Sequence, residues 1–481
     1  MMKPKDNSSR RSFIKKSAIA FAGISIIPRH VLGKGFIPPS DKLNIAVIGG
    51  GGKGYSDAVN AWNNGASNIA AICDVDWNMA SEAFKKFPKA KKYKDFRKVL
   101  DEIKDIDAIT VSTPDHTHAV IAMAAMKQGK HVYVQKPLTH SIHEARILTE
   151  AANQYKIVTQ MGNQGASGSG VAQMVKWFDE GKIGKVSTAH VWTNRPVWPQ
   201  GIPTPTNKPK MLNGLDWDSW VGPAQMVDYH PLYHPFKWRG WWNFGTGAIG
   251  DMGCHLIDPP FRVLGLEYPT EVESSVGAVY TKDWTPEYLP DSCPPSSRTQ
   301  LKFLATAKNP TDLTMTWTDG GLRPFHPELI PANHSIGDSN SANGVLMIGE
   351  KGIMTCGVYG KEPKIYFNDG EVLIGNNWED DGVLPEYGHQ AKWVEACKEG
   401  FGKAKHKELT SSFDYAGPLT ESVLMGNLAI RSYMLRKEYA NNKFDYPGRK
   451  KLLWDGTNMK ITNFDEANQF VKREYREGWS L

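Results

Sequence analysis

Short apolar runs alternate with longer amphipathic stretches along the first third of the chain. The runs at residues 43–48, 68–73, 108–112, 131–134 and 157–160 predict strands, because polar or glycine-containing turns bound them. Helices are predicted between them at residues 56–63, 77–86, 118–128 and 142–154. Strands and helices in this order build a doubly wound parallel sheet. We therefore expect an N-terminal α/β domain over residues 41–160.

The pattern changes after residue 162. Strands are predicted at residues 186–191, 271–280, 299–304, 313–317, 344–348 and 364–367, without regular helices between them. This indicates a second α/β domain over residues 161–481 with an open, largely antiparallel sheet. Two helices are predicted near its end, at residues 390–398 and 419–435. The stretch 194–235 is rich in Pro, Trp and Gly, and it predicts a long loop over a site.

A glycine-rich loop follows the first predicted strand directly. It reads G-x-G-x-x-G, and Asp74 stands twenty positions after its last glycine at the end of the second predicted strand. This order is typical of a Rossmann dinucleotide site, where a helix N-terminus faces the phosphates and the carboxylate takes the ribose hydroxyls. No arginine follows Asp74 closely, which favours NAD over NADP. The loop residues expected to contact NAD are Gly49, Gly51, Gly52, Lys53 and Gly54. An ordinary glycine turn is the alternative.

The first forty residues carry a different signal. Arg10 and Arg11 precede a short apolar stretch at residues 17–27, which is the pattern of a twin-arginine export signal. That stretch is too short to span a bilayer, and no later segment approaches the length of a membrane span. We therefore exclude residues 1–34 from the fold and expect a periplasmic, exported protein.

Charge and cysteine content narrow the class of ligand. Residues 1–34 hold eight Lys or Arg and one Asp, a net of +7, whereas the whole chain is +6, so the remainder is about −1. This near-neutral body, with 16 Trp and 17 Tyr, suits an uncharged ring-shaped ligand and not a nucleic acid. The five scattered cysteines form no C-x-x-C motif, which argues against a disulfide framework or a zinc site.

Export of a folded dinucleotide protein has a consequence for its chemistry. Free NAD should be scarce outside the cytoplasm, so we expect the cofactor to be loaded before export and to stay bound. It must then be regenerated on the protein. The net reaction should be redox-neutral, or should pass a hydride from one substrate to another.

Three segments carry candidate catalytic groups. Two lie at carboxyl ends of predicted parallel strands, where the ligand crevice of such a sheet opens. They contribute Thr113, Pro114, His116 and His118, and then Gln135 and Lys136, all of which we expect to contact NAD, with Lys136 also a candidate catalytic group. In the third, Asp251 and His255 are four positions apart and share one face if a helix forms there. Oxidation of a secondary alcohol needs a base and a positive charge, which a histidine and a lysine supply.

Each of these groups also has a structural interpretation. Asp251 and His255 could be a helix cap and a buried core histidine. A metal site of His255 with Asp251, His230 or His234 is a further alternative, but no H-E-x-x-H or comparable cluster supports it. Several aromatic and polar residues predict a carbohydrate cleft, with packing of the second domain's core as the alternative. The predicted substrate-binding residues are Trp192, Asn194, Arg195, Tyr229, Trp238 and Arg239.

The order of these motifs resembles the glucose–fructose oxidoreductase/inositol dehydrogenase (Gfo/Idh/MocA) family. The resemblance covers residues 41–264 well and the remainder by its strand pattern only. It implies NAD-linked chemistry on sugars or cyclitols and an open sheet often used to form homo-oligomers. By the same resemblance Lys136 contacts the reacting hydroxyl, His255 is the acid/base and Asp251 is its partner. The family commonly has Glu before the Lys-Pro pair, whereas this chain has Gln135.

These features lead to one principal hypothesis and two alternatives. The principal hypothesis is an exported, NAD-dependent oxidoreductase that acts on a ring secondary hydroxyl or keto group of a sugar or glycoside. The first alternative is a redox-neutral glycosidase or lyase that works through a transient keto-sugar. The second is a binding protein without turnover, which the joint presence of Lys136, Asp251 and His255 disfavours.

Overall fold

The computed structural model describes residues 42–375, 385–440 and 443–481. The predicted twin-arginine segment at residues 1–34 lies outside the described residues. In the described part of the chain no helix combines the length and apolar character needed to cross a membrane.

The N-terminal sheet has six strands in the order β3-β2-β1-β4-β5-β6. Every neighbouring pair is parallel, and the apolar residues of β1 lie opposite those of β2 and β4. The strands are β1 Asn44–Ile48, β2 Asn68–Cys73, β3 Lys91–Tyr93, β4 Ala108–Val111, β5 His131–Val134 and β6 Thr159–Met161. The predicted doubly wound sheet is therefore confirmed.

Five helices cover the two faces of this sheet. They are α1 Lys53–Trp62, α2 Ser81–Lys86, α3 Phe96–Glu102, α4 His118–Lys127 and α5 Ile142–Gln154. Neither β3 nor α3 is predicted from the sequence. Helix α2 begins four residues later than predicted, because the Asp76 side chain accepts a hydrogen bond from Asn78 N at 3.0 Å and forms a turn before the helix.

The second sheet has ten strands in the order β16-β15-β14-β13-β7-β12-β11-β8-β19-β20. Only β7 and β12 pair in parallel, so the predicted largely antiparallel sheet is confirmed. Its strands are β7 Val186–Trp192, β8 Glu271–Val276, β11 Ser297–Phe303, β12 Leu313–Thr318, β13 Gly344–Gly349, β14 Gly352–Cys356, β15 Lys364–Phe367, β16 Val372–Ile374, β19 Leu452–Asp455 and β20 Lys460–Ile461. Two separate hairpins are β9 Tyr280–Lys282 with β10 Thr285–Pro286, and β17 Lys437–Tyr439 with β18 Lys443–Asp445.

The remaining helices connect the two sheets. They are α6 Ser169–Asp179, α7 Trp217–Val221, α8 Gly247–Leu256, α9 Asp258–Val263, α10 Pro385–Glu399, α11 Ala404–Lys407 and α12 Phe413–Met434. Helix α12 packs against α5, α8 and β8. Helix α10 packs against the first sheet, where the rings of Trp393 and Tyr133 lie 5.6 Å apart. The two sheets consequently share apolar packing and meet around one cavity.

Candidate active site

A cavity of about 550 Å³ opens at the carboxyl ends of the parallel strands and is bounded on its other side by the second domain. This is the position at which a doubly wound sheet binds its ligand. Nine predicted residues from the first domain line it: Gly49, Gly51, Gly52, Lys53, Asp74, Thr113, Pro114, Gln135 and Lys136. Five predicted residues from the second domain also line it: Arg195, Trp238, Arg239, Asp251 and His255.

The glycine loop is closely packed at two positions. Gly49 has a φ of 84°, and a Cβ added there would lie 2.7 Å from the carbonyl oxygen of Ser112. A Cβ on Gly54 would lie 1.8 Å from the carbonyl oxygen of Gly49, so α1 could not approach β1 with any larger residue. Helix α1 begins at Lys53 beside the cavity, so the positive end of its dipole lies where a pyrophosphate would bind.

Asp74 lies beside the glycine loop and binds its backbone. Its Oδ2 accepts hydrogen bonds from the backbone N–H groups of Gly50 at 2.8 Å and Gly51 at 3.1 Å. Burial raises the pKa of Asp74 to about 6, although these N–H groups favour the ionised form. The carboxylate therefore braces the glycine loop from the position where the ribose hydroxyls of NAD are expected.

A partly buried charge cluster lies at the end of β5. Lys136 Nζ lies 2.9 Å from Asp251 Oδ1 and donates to the backbone oxygen of Asp251 at 2.5 Å. Arg239 Nε donates to the same Oδ1 at 3.3 Å. Burial would raise the pKa of Asp251, but the charges of Lys136 and Arg239 outweigh it and lower the pKa to about 2. Asp251 is therefore ionised at neutral pH and holds two cations at the cavity wall.

His255 lies one turn after Asp251 on α8, as predicted, and its ring is buried against Tyr359 with a centroid distance of 4.7 Å. Burial, followed by the charge of Lys136, lowers the pKa of His255 well below its usual value. The imidazole is therefore neutral, and its Nδ1 has no hydrogen-bond partner among the described residues. Asp251 hydrogen-bonds Lys136 and Arg239, whereas the resemblance implied that it would pair with His255.

A buried carboxylate that the sequence does not predict as a site residue lies behind the glycine loop. Asp57 on α1 is completely buried, and its Oδ2 accepts hydrogen bonds from Ser112 Oγ and Gln135 Nε2, both at 2.8 Å. Its Oδ1 accepts from Gln390 Nε2 at 2.9 Å and lies 3.2 Å from Lys53 Nζ. Gln135, the departure from the family pattern, therefore donates to a carboxylate on another element. Asp57 fixes the glycine loop relative to the end of β5.

Several predicted site residues do not line the cavity. The two ring nitrogens of His116 lie within hydrogen-bond distance of the backbone oxygens of Phe244 and Trp220. Burial lowers the pKa of His116 to about 3. His118 contacts the backbone oxygens of Pro137 and Thr113, each at 2.8 Å, and thereby joins the two loops that carry Pro114 and Lys136. These two histidines therefore hold neighbouring loops together, and their side chains do not line the cavity.

Three predicted substrate contacts also lie elsewhere. Trp192 is buried between the second sheet and the loop after β12, and its Nε1 donates to Ser341 O at 3.0 Å. Asn194 accepts a hydrogen bond from Arg195, and Tyr229 packs edge-on against Trp217. Their types suit a sugar cleft, but strand alternation and loop packing turn them away from the cavity.

The predicted long loop at residues 194–235 borders the cavity and contains α7. Its His234 lies 2.9 Å from Asp76, which stands just after β2. His230 contacts Asn207 instead. Within the part of the chain that the structure describes, no three His, Cys, Asp or Glu side chains are grouped to hold a metal ion. All five cysteines are buried and unpaired.

Several further residues line the cavity without a clear signal in the sequence. They are Gln164, Phe236, Tyr359 and Trp479. Tyr359 has a positive φ of 66° in a short turn after β14, and Trp479 lies beyond the last strand. Their places follow from tertiary packing and not from any local motif.

Comparison with known families identifies both domains of the chain. Residues 43–163 match the Gfo/Idh/MocA model described as an oxidoreductase family with an NAD-binding Rossmann fold. Residues 177–283 match the corresponding C-terminal alpha/beta domain. Levoglucosan dehydrogenase of Pseudarthrobacter phenanthrenivorans is 28% identical over 254 residues, which cover 51% of this chain and 55% of that protein.

Two other similarities are informative. Alpha-N-acetylgalactosaminidase of Shewanella oneidensis is 27% identical over 183 residues, 33% of this chain and 40% of that protein. The chain thus spans about half or less of the length of these curated relatives. A solved levoglucosan dehydrogenase in complex with NADH and levoglucosan shares the fold, with a TM-score of 0.54, 18% identity, and coverage of 84% of this chain and 100% of that one. The chain belongs to the Gfo/Idh/MocA oxidoreductase family, and residues 43–163 form its NAD-binding Rossmann domain.

Proposed function

We propose that the protein is an NAD-dependent oxidoreductase that acts on a ring secondary hydroxyl, or the corresponding keto group, of a sugar or glycoside. One observation carries this proposal: the Lys136–Asp251 ion pair and the neutral His255 line the same cavity as the glycine loop. The similarity to levoglucosan dehydrogenase supports the class of substrate.

The proposed mechanism divides the work among three side chains. The glycine loop and Asp74 would hold NAD, which would accept a hydride during oxidation and, as NADH, would donate one during reduction. Asp251 is ionised and keeps the ammonium of Lys136 in place, where that charge can stabilise a developing alkoxide. His255 is neutral and can take the hydroxyl proton during oxidation or return it during reduction.

The proposed sugar contacts lie around Arg239. Its guanidinium stacks over the rings of Trp238 at 4.2 Å and Phe236 at 4.5 Å, and it also donates to Asp251. An indole offers a flat surface to the apolar face of a sugar ring, while guanidinium N–H groups can bond hydroxyls. Arg239 therefore links the proposed sugar wall to the proposed catalytic carboxylate.

The proposal includes a tightly bound cofactor that is regenerated during turnover, in an exported homo-oligomer. The paired Arg10 and Arg11 before an apolar stretch support export, and the family resemblance supports assembly. Replacing both arginines by lysine should leave the protein in the cytoplasmic fraction of its host. Unchanged export of that variant would contradict the twin-arginine route, and light scattering would measure the oligomer.

The first test measures cofactor and product together. Protein purified in its folded form is denatured, the released nicotinamide is quantified, and intact protein is incubated with a panel of glycosides. We expect stoichiometric NAD and a keto-sugar product. His255→Asn should keep its NAD and lose product formation by about 100-fold, the usual scale for an acid–base group. Failure to bind any dinucleotide would overturn the proposal, and sugar binding without turnover would indicate a binding protein.

A second candidate function is a redox-neutral glycosidase or lyase. The similarity to the Shewanella alpha-N-acetylgalactosaminidase favours this candidate. Oxidation of a ring hydroxyl acidifies the neighbouring C–H bond, so the same three side chains could serve an elimination. Release of aglycone from the glycoside panel without net reduction of NAD would select this function over the dehydrogenase.

A further inference from the structure

The order of the strands assigns the two ends of the cavity. Lys136 follows β5, whereas Asp74 follows β2 on the opposite side of β1 and β4. With the pyrophosphate at the glycine loop, the nicotinamide end lies toward Lys136 and the adenosine end toward Asp74. The edge strand β3 and the start of α3 at Phe96 therefore border the adenosine end.

A tryptophan from the other end of the sequence closes this region. Trp479 lines the cavity, and its ring centroid lies 6.2 Å from that of Phe96. The guanidinium of Arg97 lies 4.9 Å from the indole centroid. A Cβ added at Gly222, beside α7, would lie 3.7 Å from the indole, so the ring fits between α3 and the loop of the second domain. The indole is half-buried, and it is held at the adenosine end without filling the cavity.

The segment that carries Trp479 is anchored on both domains. Arg473 Nε and Tyr475 OH each donate to Glu144 Oε1 of α5 at 2.8 Å. Arg476 bonds Asp218 of α7 through Nη1 at 2.5 Å, and its backbone N–H donates to Pro223 O at 3.0 Å. Glu144 is almost completely buried, so its two partners form a fixed anchor. The segment therefore holds its tryptophan in place by contacts that do not involve the cofactor.

We propose that Trp479 contacts the adenine of bound NAD and that residues 471–481 act as a clasp that slows its release. The inference rests on the NAD binding of the proposed function and adds a residue to it. Aromatic side chains bind bases by stacking, without regard to base identity. The clasp explains how a dinucleotide could be retained through many turnovers, because the adenosine end is covered by a segment anchored independently.

The test compares the release of NAD from the full chain and from matched tryptophan variants. Wild type, Trp479→Ala, Trp479→Phe and Trp284→Ala are purified, and the half-life of bound NAD is measured after dilution into NAD-free buffer. Trp284 is the control, because it is 96% exposed on the turn between β9 and β10. We expect Trp479→Ala to release NAD about tenfold faster, within the range for loss of one base–aromatic contact. Trp479→Phe should stay within about threefold of wild type, since it keeps a ring, and Trp284→Ala should match wild type.

Nicotinamide mononucleotide separates a clasp from a general loss of structure. It lacks the adenosine, so its affinity should be the same for wild type and Trp479→Ala. An equal loss for both nucleotides, or unchanged NAD release in Trp479→Ala, would overturn the clasp. A wild-type protein that binds neither nucleotide would instead overturn the proposed function, so the two failures are distinguishable.

Discussion

The two ends of the cavity are lined by different kinds of side chain. At the nicotinamide end, Lys136, Arg239 and Asp251 form a compact charge cluster beside the neutral His255. At the adenosine end, Asp74 is bonded to backbone N–H groups, and the rings of Phe96 and Trp479 lie beside the more exposed Asp95–Arg97 ion pair. The cluster around Asp251 lies where bonds would be made and broken, whereas the two aromatic rings lie where a cofactor would only be held. Substitutions at the two ends should therefore separate turnover from retention.

The largest separation is expected from Lys136→Met. Removing the ammonium should lower kcat about 1000-fold, the upper range for loss of one group that stabilises a developing oxyanion. Bound NAD should stay stoichiometric, because the glycine loop and Asp74 are untouched. Steady-state kinetics and nicotinamide release measure the two effects. Lys176→Met on the exposed face of α6 is the control, and loss of NAD from Lys136→Met would contradict the division between the ends.

Asp251→Asn should affect both turnover and stability. Two cations lose their shared carboxylate, so we expect kcat to fall about 100-fold and the free energy of unfolding to fall by about 2 kcal/mol. The pKa of Asp251 is lowered from 3.8 to about 2. Its contribution is therefore present above pH 4 and is lost as the pH falls from 4 toward 2. The free energy of unfolding, measured with urea across this pH window, should change more steeply with pH for wild type than for the variant. Equal slopes would refute the assignment of this pH dependence to Asp251.

Exchanging the carboxylate of Asp57 and the amide of Gln135 tests the contact that joins the glycine loop to the nicotinamide end. Asp57→Asn removes a carboxylate that three side chains bond, and Gln135→Glu places two carboxylates within 2.8 Å. Each single variant should lose about 2 kcal/mol of unfolding free energy. The double variant restores one carboxylate and one amide. Its loss of unfolding free energy should therefore be smaller than the sum of the two single losses by at least about 1 kcal/mol. Lys208 and Asp228, an exposed pair, provide the control cycle, which should be additive.

The smallest effect is expected at Asp74. Burial raises its pKa from 3.8 to about 6, so the cofactor-free protein should lose stability as the pH rises from 4 to 6. The ribose hydroxyls need the ionised carboxylate as an acceptor, so NAD affinity should fall about tenfold between pH 7 and pH 5. Calorimetric titration measures this, and Asp74→Asn should bind weakly at both pH values. A wild-type affinity that is flat over this range would show that Asp74 does not contact the ribose.

The sequence predicts the interior of the fold better than its edges. Strands β1, β2, β4 and β5 follow from apolar runs, because a strand buried on both faces consists mainly of apolar residues. The edge strand β3 carries exposed lysines and has no such pattern. The G-x-G-x-x-G loop, Lys136 and the Asp251–His255 spacing are local signals, and all of them reach the cavity.

Other parts of the site arise only from tertiary contacts. Asp57 is separated from Gln135 by 78 residues and from Gln390 by 333, so no local pattern marks it. Trp192 has the residue type of a sugar platform, but its place in β7 turns it toward the loop after β12. Trp479 approaches α3 only because Arg473, Tyr475 and Arg476 dock its segment. Residue type and spacing identify candidates, while packing decides which of them meet.

The ion pair between Lys136 and Asp251 also limits how proteins of this type can be recombined. The lysine belongs to the nucleotide-binding half, but its counter-ion and the neighbouring imidazole arrive together on α8 from the other half. A chimaera that exchanges everything after residue 163 would replace the proposed sugar contacts, the carboxylate and the imidazole together, while Lys136 would stay in place. A chimaera joined between Lys136 and α8 would keep the ion pair only if the new helix carries a carboxylate at the position of Asp251. The counter-ion and the imidazole are thus inherited together on one helix.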